Sequence, residues 1–358
     1  MNKIPDVIRI NSQNYTTDEL SMLISERLSL PQLSEWEHEF YSFLNDWFSP
    51  SDFIEAKTSG STGTPQTIRL PKAAMQHSAH RTIAFFGLQS GNRILLSLPC
   101  RFIAGKMMVV RAIIGRMDLI TVDPSTDFDI LKNNKFDFGA MVSNQVFKLL
   151  ENPSGKERLE NIRNLLIGGS AIPANLEVQI SQLKSRVVST YGMTETASHI
   201  AIRELSGESR SDVYHCLSGI SVTTGENDCL QIHVIESKEP IQTRDIAEIL
   251  SPDSFRILGR VDDVIISGGI KYWPETIEKK LEPAIHGRFV ISSLPDKKLG
   301  EKLVLVIEGD PTDIELIQHK SAELLAPFDR PKAVYFMDKF PETRNGKLKR
   351  NQIKENIK

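Results

Sequence analysis

The chain has 358 residues, too many for one ordinary compact core and far more than a binding peptide or a single small module needs. With 40% hydrophobic and 25% charged residues, its composition is that of a folded globular protein and excludes wholesale disorder. The formal charge of -3 offers no basic field of the kind that binds nucleic acid or an anionic membrane surface. We therefore expect two globular units and no nucleic-acid partner.

The cysteines favour a reducing compartment. Cys100, Cys216 and Cys229 are an odd number, lie far apart and form no CxxC pair, which argues against a disulfide framework and a structural zinc site. Residues 1–13 alternate apolar with polar side chains and do not place a basic segment before an apolar one. We expect neither an export signal nor a membrane span, and hence a cytoplasmic protein.

Hydrophobic spacing predicts two amphipathic helices at the start of the chain, in residues 17–28 and 36–47. After Pro50, short apolar runs that end in Gly or Pro alternate with longer segments of helical spacing. This alternation predicts the strands and helices of an α/β sheet. The predicted strands lie at 93–99, 118–123, 138–143, 164–169 and 187–192.

The last third of the chain has a different pattern. Residues 225–237 and 255–267 predict antiparallel strands and hairpins. Beyond Gly269 we predict helices at 274–281 and near 313–325, and strands at 289–293, 303–308 and 333–336. The fold class is therefore α/β, with a large N-terminal α/β domain of mixed sheets over residues 1–260 and a small C-terminal α+β domain over residues 261–358.

Residues 58–65 read Thr-Ser-Gly-Ser-Thr-Gly-Thr-Pro between two predicted strands. Glycines leave backbone N–H groups uncovered beside hydroxyls, and both suit an anionic phosphate. A Walker-type loop requires Gly-Lys-Ser/Thr, whereas Thr64 and Pro65 follow Gly63 here, so that class of NTPase is disfavoured. Taken alone, such a stretch is more often a solvated loop.

Four further motifs follow in order: YGMTET at 191–196, TRD at 243–245, GRVDD at 259–263 running into SGG at 267–269, and RNGKL at 344–348. Together with the loop at 58–65, they resemble the signature motifs of the adenylate-forming superfamily of acyl-CoA ligases, peptide-synthetase adenylation domains and luciferases. The resemblance extends from about residue 57 to the C-terminus. It implies activation of a carboxylate by ATP, then acyl transfer, with a small C-terminal domain that rotates between the two half-reactions.

The resemblance also implies catalytic roles. Glu195 would ligate Mg²⁺, Thr194 would contact the α-phosphate, and Lys347 would stabilise the charge that redistributes during adenylation. Asp262 would be the hinge. The residues expected to bind ATP are Thr58, Ser59, Gly60, Ser61, Thr62 and Gly63 at the phosphates, Gly168, Gly169, Ser170, Tyr191 and Gly192 at the adenine, and Asp245 and Arg260 at the ribose. Without the resemblance, Asp245 and Arg260 would be a surface salt bridge and Lys347 part of a solvated basic tail.

Two departures from the pattern stand out. Gln66 occupies the position at which the phosphate loop usually has a lysine, which removes one positive charge. Family members commonly carry a longer region before this loop, and two helices stand in for it here, so we expect a short form. The loss of the lysine keeps open the alternative of a noncatalytic nucleotide-binding regulator.

The stretches at 97–111 and 191–201 look closest to the o-succinylbenzoate–CoA ligases of menaquinone biosynthesis, with CoA as co-substrate beside ATP and Mg²⁺. An acid with an aromatic ring and a second carboxylate needs an apolar slot and a cation. Phe102 and Ile103 are predicted to line the slot, and Lys106, Arg101 or His199 to supply the charge. A ligase for another aromatic acid remains the alternative within the class.

Overall fold

The structure is a computed structural model of the chain. It describes residues 5–57, 66–125, 128–169, 171–285, 287–311, 314–342 and 348–357. Packing divides the chain into a first unit, residues 1–172, 176–221 and 234–241, and a second unit, residues 173–175, 222–233 and 242–358. Strands and helices occur in both units, which confirms the predicted α/β class.

A β-hairpin precedes the two predicted helices, so the expectation that helices open the chain is wrong. Asn11 and Ser12 form its turn with positive φ values of 50° and 66°, the conformation of a type I′ hairpin. The alternation of apolar and polar residues in the first positions is the signal for this strand pair. The elements are β1 (Val7–Ile10), β2 (Gln13–Thr16), α1 (Thr17–Ser29) and α2 (Glu35–Phe48).

The rest of the first unit contains the strands predicted from short apolar runs. They are confirmed, with helices between them. The elements are β3 (Phe53–Lys57), β4 (Thr67–Pro71), α3 (Lys72–Phe86), β5 (Arg93–Leu96), α4 (Ile103–Gly115), β6 (Asp118–Thr121), β7 (Phe136–Val142), α5 (Ser143–Leu150), α6 (Gly155–Glu160), β8 (Ile162–Gly168), α7 (Ala174–Ser181), β9 (Arg186–Gly192), β10 (His199–Glu204) and β11 (Tyr214–Cys216).

The main sheet of the first unit has the order β11-β10-β9-β8-β7-β5-β6-β1-β2. Strands β9, β8, β7, β5, β6 and β1 pair in parallel, while β10 and β2 are antiparallel to their neighbours β9 and β1. The chain passes from β5 to β6 on one side and then returns to β7 on the other. In open α/β sheets ligands bind outside the carboxyl ends of strands at such a reversal.

Helix α4 is apolar almost all round, and residues 105–113 are buried. Gly105 allows it to lie close behind the end of β5, since a Cβ there would come within 2.3 Å of the Pro99 carbonyl oxygen. Helix α4 also packs against α3. Several polar side chains on these two helices, among them Thr82 and Arg111, are therefore buried inside the unit.

The second unit contains the elements predicted for the end of the chain, and the helix at 274–281 matches its prediction at both ends. We expect its N-terminus from Pro274, because proline suits the first position of a helix. The elements are β12 (Ile220–Thr224), β13 (Cys229–Val234), β14 (Ile241–Ser251), β15 (Ser254–Arg260), β16 (Ile265–Ser267), β17 (Ile270–Tyr272), α8 (Pro274–Leu281), β18 (Phe289–Asp296), β19 (Gly300–Glu308), α9 (Ile314–Leu324), β20 (Ala333–Met337) and α10 (Arg350–Asn356).

Two groups of strands make up the second unit. Strands β12, β13, β14 and β15 lie side by side, and β17, β16, β19 and β18 form another sheet in that order, with β20 parallel to β19. Ile277 and Leu281 of α8 are buried in a core with Ile291 and Leu305 of this sheet. The domain boundary at residue 260 and the mobility of the C-terminal domain stay predictions.

Candidate active site

The residues predicted to hold Mg²⁺ and the α-phosphate lie in a tight turn between β9 and β10. Ala197 donates its N–H to the Thr194 carbonyl at 2.9 Å and has a positive φ of 62°. The Thr196 hydroxyl lies 2.6 Å from the Ser198 carbonyl oxygen, which it can bind as a donor. This turn leaves the Glu195 carboxylate exposed, where a hard cation can reach it.

The glycines predicted to form the adenine slot lie at the ends of two neighbouring parallel strands, β8 and β9. Gly168 ends β8, and Gly169 follows it with a positive φ of 96°. Tyr191 and Gly192 end β9, where a Cβ on Gly192 would come within 2.5 Å of the His199 Cα. Packing against His199 is thus a sufficient reason for a glycine at position 192. The contacts of Gly168, Gly169, Tyr191 and Gly192 with ATP stay predictions.

Part of the predicted nucleotide site lies outside the described residues, so its roles stay predictions. The strands that flank the phosphate loop are described: β3 and β4 pair antiparallel, with Lys57 opposite Thr67. Gln66 is exposed next to this pair. The predicted site residues outside the described part are Thr58, Ser59, Gly60, Ser61, Thr62, Gly63, Ser170 and Lys347.

A buried cluster around the Arg111 guanidinium includes Ser198, the residue that follows the turn. Arg111 of α4 is 2% exposed and donates from Nη2 to the Ser198 hydroxyl at 2.6 Å and from Nε to the Thr82 hydroxyl at 3.1 Å. The same Nη2 lies 3.4 Å from Nδ1 of His199, and Nη1 lies 3.6 Å from the Met108 sulfur. Within the described chain, the side-chain partners of this guanidinium are thus two hydroxyls, an imidazole and a thioether.

Burial sets the charges in this cluster. It lowers the pKa of Arg111 to about 9, so that the guanidinium is still protonated at neutral pH. Burial, and then the charge of Arg111, hold the pKa of His199 well below 6.5, so that the imidazole is neutral. A buried charge is costly unless an opposite charge pairs with it. The cluster is therefore suited to receive an anion, and a carboxylate can take a bidentate pair from a guanidinium.

The other cations predicted for the acid site are engaged elsewhere. The Lys106 ammonium donates to the Glu55 carbonyl at 3.0 Å and lies 5.2 Å from the centre of the Phe43 ring, and burial lowers its pKa. Arg101 is exposed and pairs with Glu39 at 2.8 Å. Of the three predicted cations, His199 belongs to the Arg111 cluster, where it is neutral.

The predicted slot residues lie at the start of the same helix as Arg111. Phe102 is the N-cap residue of α4 and is half-buried, with the Arg101 guanidinium 5.0 Å from its ring centre. Ile103 is the first residue of the helix. Arg111 follows eight residues later, about 12 Å along the helix axis. That Phe102 and Ile103 line an aromatic slot stays a prediction.

In the second unit, the predicted ribose pair and the predicted hinge belong to one ion-pair network. Asp245 and Arg260 are partners across β14 and β15, and Arg260 donates from Nη1 to the Asp245 carboxylate at 2.7 Å. Asp262 pairs with Arg244 and lies 3.7 Å from Nη2 of Arg260. The pair also fits a strand-to-strand salt bridge, so its contact with ribose stays a prediction.

A second arginine of this unit has three carboxylates around it. Arg350, the first residue of α10, donates to both carboxylate oxygens of Glu278 at 2.8 and 2.6 Å. Glu275 lies 3.8 Å and Asp263 3.9 Å from its Nε. The Oε2 atom of Glu275 is buried and has no hydrogen-bond partner among the described residues, and burial raises the pKa of this carboxyl to about 7. One guanidinium thus faces more negative charge than it can balance.

Protein side chains alone do not form a metal centre in the part of the chain that the structure describes, where no three His, Cys, Asp or Glu residues are grouped to hold an ion. His77 is exposed, and its Nδ1 lies 3.5 Å from the Glu236 carboxylate. A single exposed carboxylate such as Glu195 fits Mg²⁺ held chiefly by phosphate oxygens. In the described residues, no helix is both long and apolar enough to cross a bilayer.

Residues 57–242, more than half of the chain, match the protein-family model described as AMP-binding enzyme. The chain belongs to this family. The matched range includes the predicted phosphate loop, the adenine glycines, the turn with Thr194 and Glu195, and Arg111. The predicted membership in the adenylate-forming superfamily is therefore confirmed.

Relatives of this chain carry consistent names. The 2-succinylbenzoate–CoA ligase of Lactococcus lactis is 23% identical over 95% of this chain and 79% of its own, and that of Escherichia coli is 27% identical over 83% and 67%. An acyl-CoA synthetase (AMP-forming)/AMP-acid ligase II-like protein from Dyadobacter fermentans has a similar structure, with 32% identity, a TM-score of 0.61 and coverage of 92% and 96%. The Bacillus subtilis o-succinylbenzoate CoA synthetase has the same fold, with 22% identity, a TM-score of 0.72 and coverage of 85% and 69%.

Arg111 is the residue that the sequence analysis missed. It lies in the run Met107-Met108-Val109-Val110-Arg111, and an arginine that interrupts an all-apolar helix is a signal for a buried charge. Lys106, five positions before Arg111, carries the same signal. The rotation of α4 about its axis determines which of the two cations reaches Ser198 and which reaches the Glu55 carbonyl.

Proposed function

We propose that the protein is an ATP-dependent acid–CoA ligase and that its acid is o-succinylbenzoate. In the first half-reaction the acid carboxylate attacks the α-phosphate of ATP and releases pyrophosphate, which leaves an acyl-AMP. In the second, the CoA thiol attacks the acyl carbon and AMP leaves, which gives the thioester. Family membership supports the chemistry, and the names of the relatives support the acid.

The buried Arg111 is the observation that carries the choice of acid. An acid with a single carboxylate uses that group in the reaction and needs no second cation. A diacid brings another carboxylate, and its pairing with a guanidinium whose side-chain partners in the described chain are all neutral would recover the cost of burying both charges. Arg111 contacts Ser198, four residues after Thr194, so this anion subsite lies next to the turn assigned to the α-phosphate.

The remaining roles follow from the motifs. Glu195 would hold Mg²⁺, which when bound neutralises charge on the phosphates, and Thr194 would donate to the α-phosphate. Asp245 and Arg260 would fix the ribose hydroxyls. Lys347 would enter for adenylation and leave for thioester formation as the small domain turns about Asp262. We also infer that the reaction takes place in the cytoplasm.

The acid is tested by AMP release from MgATP and CoA with a panel of acids. We expect o-succinylbenzoate to be far better than benzoate or octanoate, because a buried cation left without its carboxylate discriminates strongly against monoacids. AMP release that is equally fast with octanoate would contradict the assignment of the acid. A preference for a different aromatic diacid would support the ligase chemistry and identify that diacid as the substrate.

A noncatalytic nucleotide-binding regulator is the rival from another class. The observation that favours it is Gln66, where the family commonly has a lysine beside the phosphates. Acid-dependent exchange of labelled pyrophosphate into ATP separates the two, because it requires reversible acyl-AMP formation. Exchange with o-succinylbenzoate eliminates the regulator, whereas nucleotide binding without exchange for any acid would eliminate the ligase.

A further inference from the structure

The hydroxyl of Thr82 joins both members of the Arg111–His199 pair. Thr82 lies on α3 and is 0% exposed. Its oxygen accepts from Nε of Arg111 at 3.1 Å, lies 3.2 Å from Nε2 of His199, and lies 3.2 Å from the Ser78 carbonyl oxygen, to which it can donate. Three polar groups on α3, α4 and β10 thus meet at one buried oxygen.

The donors and acceptors around Thr82 determine which ring nitrogen of His199 carries the hydrogen. A threonine hydroxyl has one hydrogen and two lone pairs, and the Arg111 Nε–H occupies one lone pair. When the Thr82 hydroxyl donates its hydrogen to the Ser78 carbonyl, its second lone pair accepts from Nε2–H of His199. Nδ1 of His199 then carries no hydrogen and can only accept. The opposite tautomer would place Nδ1–H against the Nη2–H of Arg111 at 3.4 Å, donor against donor. The geometry therefore selects the Nε2–H form.

The same arrangement provides hydrogen-bond partners for the Ser198 hydroxyl. The Ser198 hydroxyl accepts from Nη2 of Arg111 at 2.6 Å and can donate to His199 Nδ1 at 3.3 Å. The Nε and Nη2 edge of Arg111 is thereby saturated by oxygen and nitrogen acceptors. Nη1 has only the Met108 sulfur, a weak acceptor at 3.6 Å, as its partner in the described chain. The guanidinium is thus held by its Nε and Nη2 edge, and Nη1 is the nitrogen without an oxygen or nitrogen acceptor in the described chain.

We propose that Thr82 and His199 are positioning residues for Arg111 and thereby determine the specificity of the acid site. They hold the guanidinium in one orientation without adding charge, because the hydroxyl is neutral and the imidazole is kept neutral by its surroundings. The site then carries a single positive charge suited to one additional carboxylate. The inference rests on the proposed function, since it takes the second carboxylate of the acid as the group that Arg111 binds.

The test compares Thr82→Val with Thr82→Ser. Valine has a similar shape but leaves two buried N–H groups unpaired, so the guanidinium loses its fixed orientation. We expect Thr82→Val to raise KM for o-succinylbenzoate by about ten- to a hundredfold, with kcat and the KM for ATP within about threefold of wild type. Thr82→Ser keeps the hydroxyl and should stay within about threefold on all three constants.

A matched control removes a buried hydroxyl elsewhere in the first unit. Ser185 is 6% exposed and donates to the Leu159 carbonyl at 3.2 Å, so Ser185→Ala should leave KM for the acid unchanged. Three results would overturn the proposal: a wild-type KM in Thr82→Val, equal impairment by Thr82→Ser, or a rise in every substrate's KM together. The last two would mean that Thr82 contributes packing only.

The tautomer has a readout that does not depend on activity. In the protein labelled with ¹⁵N-histidine, with His199→Gln to assign the signal, we expect His199 to show a protonated Nε2 and a bare Nδ1 at pH 7. An imidazolium or an Nδ1–H form would refute the arrangement. If wild type does not prefer o-succinylbenzoate over monoacids, the proposed function fails, and the NMR result still decides how Thr82 and His199 hold Arg111.

Discussion

Replacement of Glu275 by glutamine should make the second unit more stable at alkaline pH and leave it unchanged at acid pH. The carboxyl of Glu275 is packed against β15, where a Cβ on Gly259 would lie 2.6 Å from its Oε2. That oxygen is buried and has no hydrogen-bond partner in the part of the chain that the structure describes. Burial raises the pKa to about 7; Arg350 acts in the opposite direction, and Glu278 and Asp263 add to the rise.

The direction in which the stability of the second unit changes with pH follows from proton linkage. The folded-state pKa of Glu275 lies above the unfolded value of 4.5, so the folded state binds the proton more tightly. The stability that this gives is complete below pH 4.5 and is lost as the pH rises through 7. A shift from 4.5 to about 7 corresponds to about 3 kcal/mol at about 1.4 kcal/mol per pH unit. The side chain is 32% exposed, and solvent screening reduces the expected effect to about 1 to 3 kcal/mol.

Hydrogen exchange in peptides from β18 and β19 measures the opening free energy of this unit by itself. From pH 5 to pH 8, wild type should lose about 1 to 3 kcal/mol relative to Glu275→Gln, which has no carboxyl to titrate at this position. The comparison at each pH cancels the contribution of the other groups. Parallel pH profiles for the two proteins would refute the reasoning, as would a variant that is less stable than wild type at pH 8.

Other substitutions test the site and the proposed domain movement. Gly192→Ala should destabilise the first unit by about 2 kcal/mol in urea unfolding, because its Cβ would meet the backbone of His199 at 2.5 Å; a wild-type midpoint would contradict this. Asp262→Pro should impair thioester formation more than adenylation, since a locked hinge holds one orientation; equal loss of both half-reactions in a folded variant would count against the hinge. Lys347→Ala should lower acyl-AMP formation about a hundredfold and still convert supplied acyl-AMP and CoA to thioester. Intact pyrophosphate exchange in that variant would leave Lys347 in a solvated tail, whereas Glu195→Ala should fail mainly with MgATP.

The fold class could be predicted from the sequence because local signals agree with the final structure. Apolar runs ending in Gly or Pro mark the parallel strands, and Pro274 marks the start of α8. The opening hairpin was missed since its strands have four residues each, too short for periodicity to be decisive. Its turn, Asn11-Ser12, is not one of the strong hairpin pairs such as Asn-Gly.

The nucleotide motifs could also be read from the sequence, because each is a contiguous segment. The proposed acid site could not, because its residues come from α3, α4 and the segment at the start of β10. Thr82 and Arg111 are 29 positions apart, and Arg111 and His199 are 88 apart. Lys106 and Arg111 look alike in sequence, and only the packing of α4 turns Lys106 to the Glu55 carbonyl and Arg111 to Ser198. The charge of His199 depends on the same packing, because burial beside Arg111 lowers its pKa and keeps the imidazole neutral.

The proposed reaction of this family member is formation of the CoA thioester of a diacid whose second carboxylate pairs with Arg111. Its most direct test is the rate of thioester formation, followed by chromatography, with o-succinylbenzoate and with the two monoacids that each lack one of its carboxylates, 3-benzoylpropionate and 2-butanoylbenzoate. We expect wild type to use o-succinylbenzoate with a kcat/KM at least about a hundredfold above that for either monoacid, and Arg111→Gln to lose most of this preference. Equal rates for the three acids in wild type, or an undiminished preference in Arg111→Gln, would contradict it.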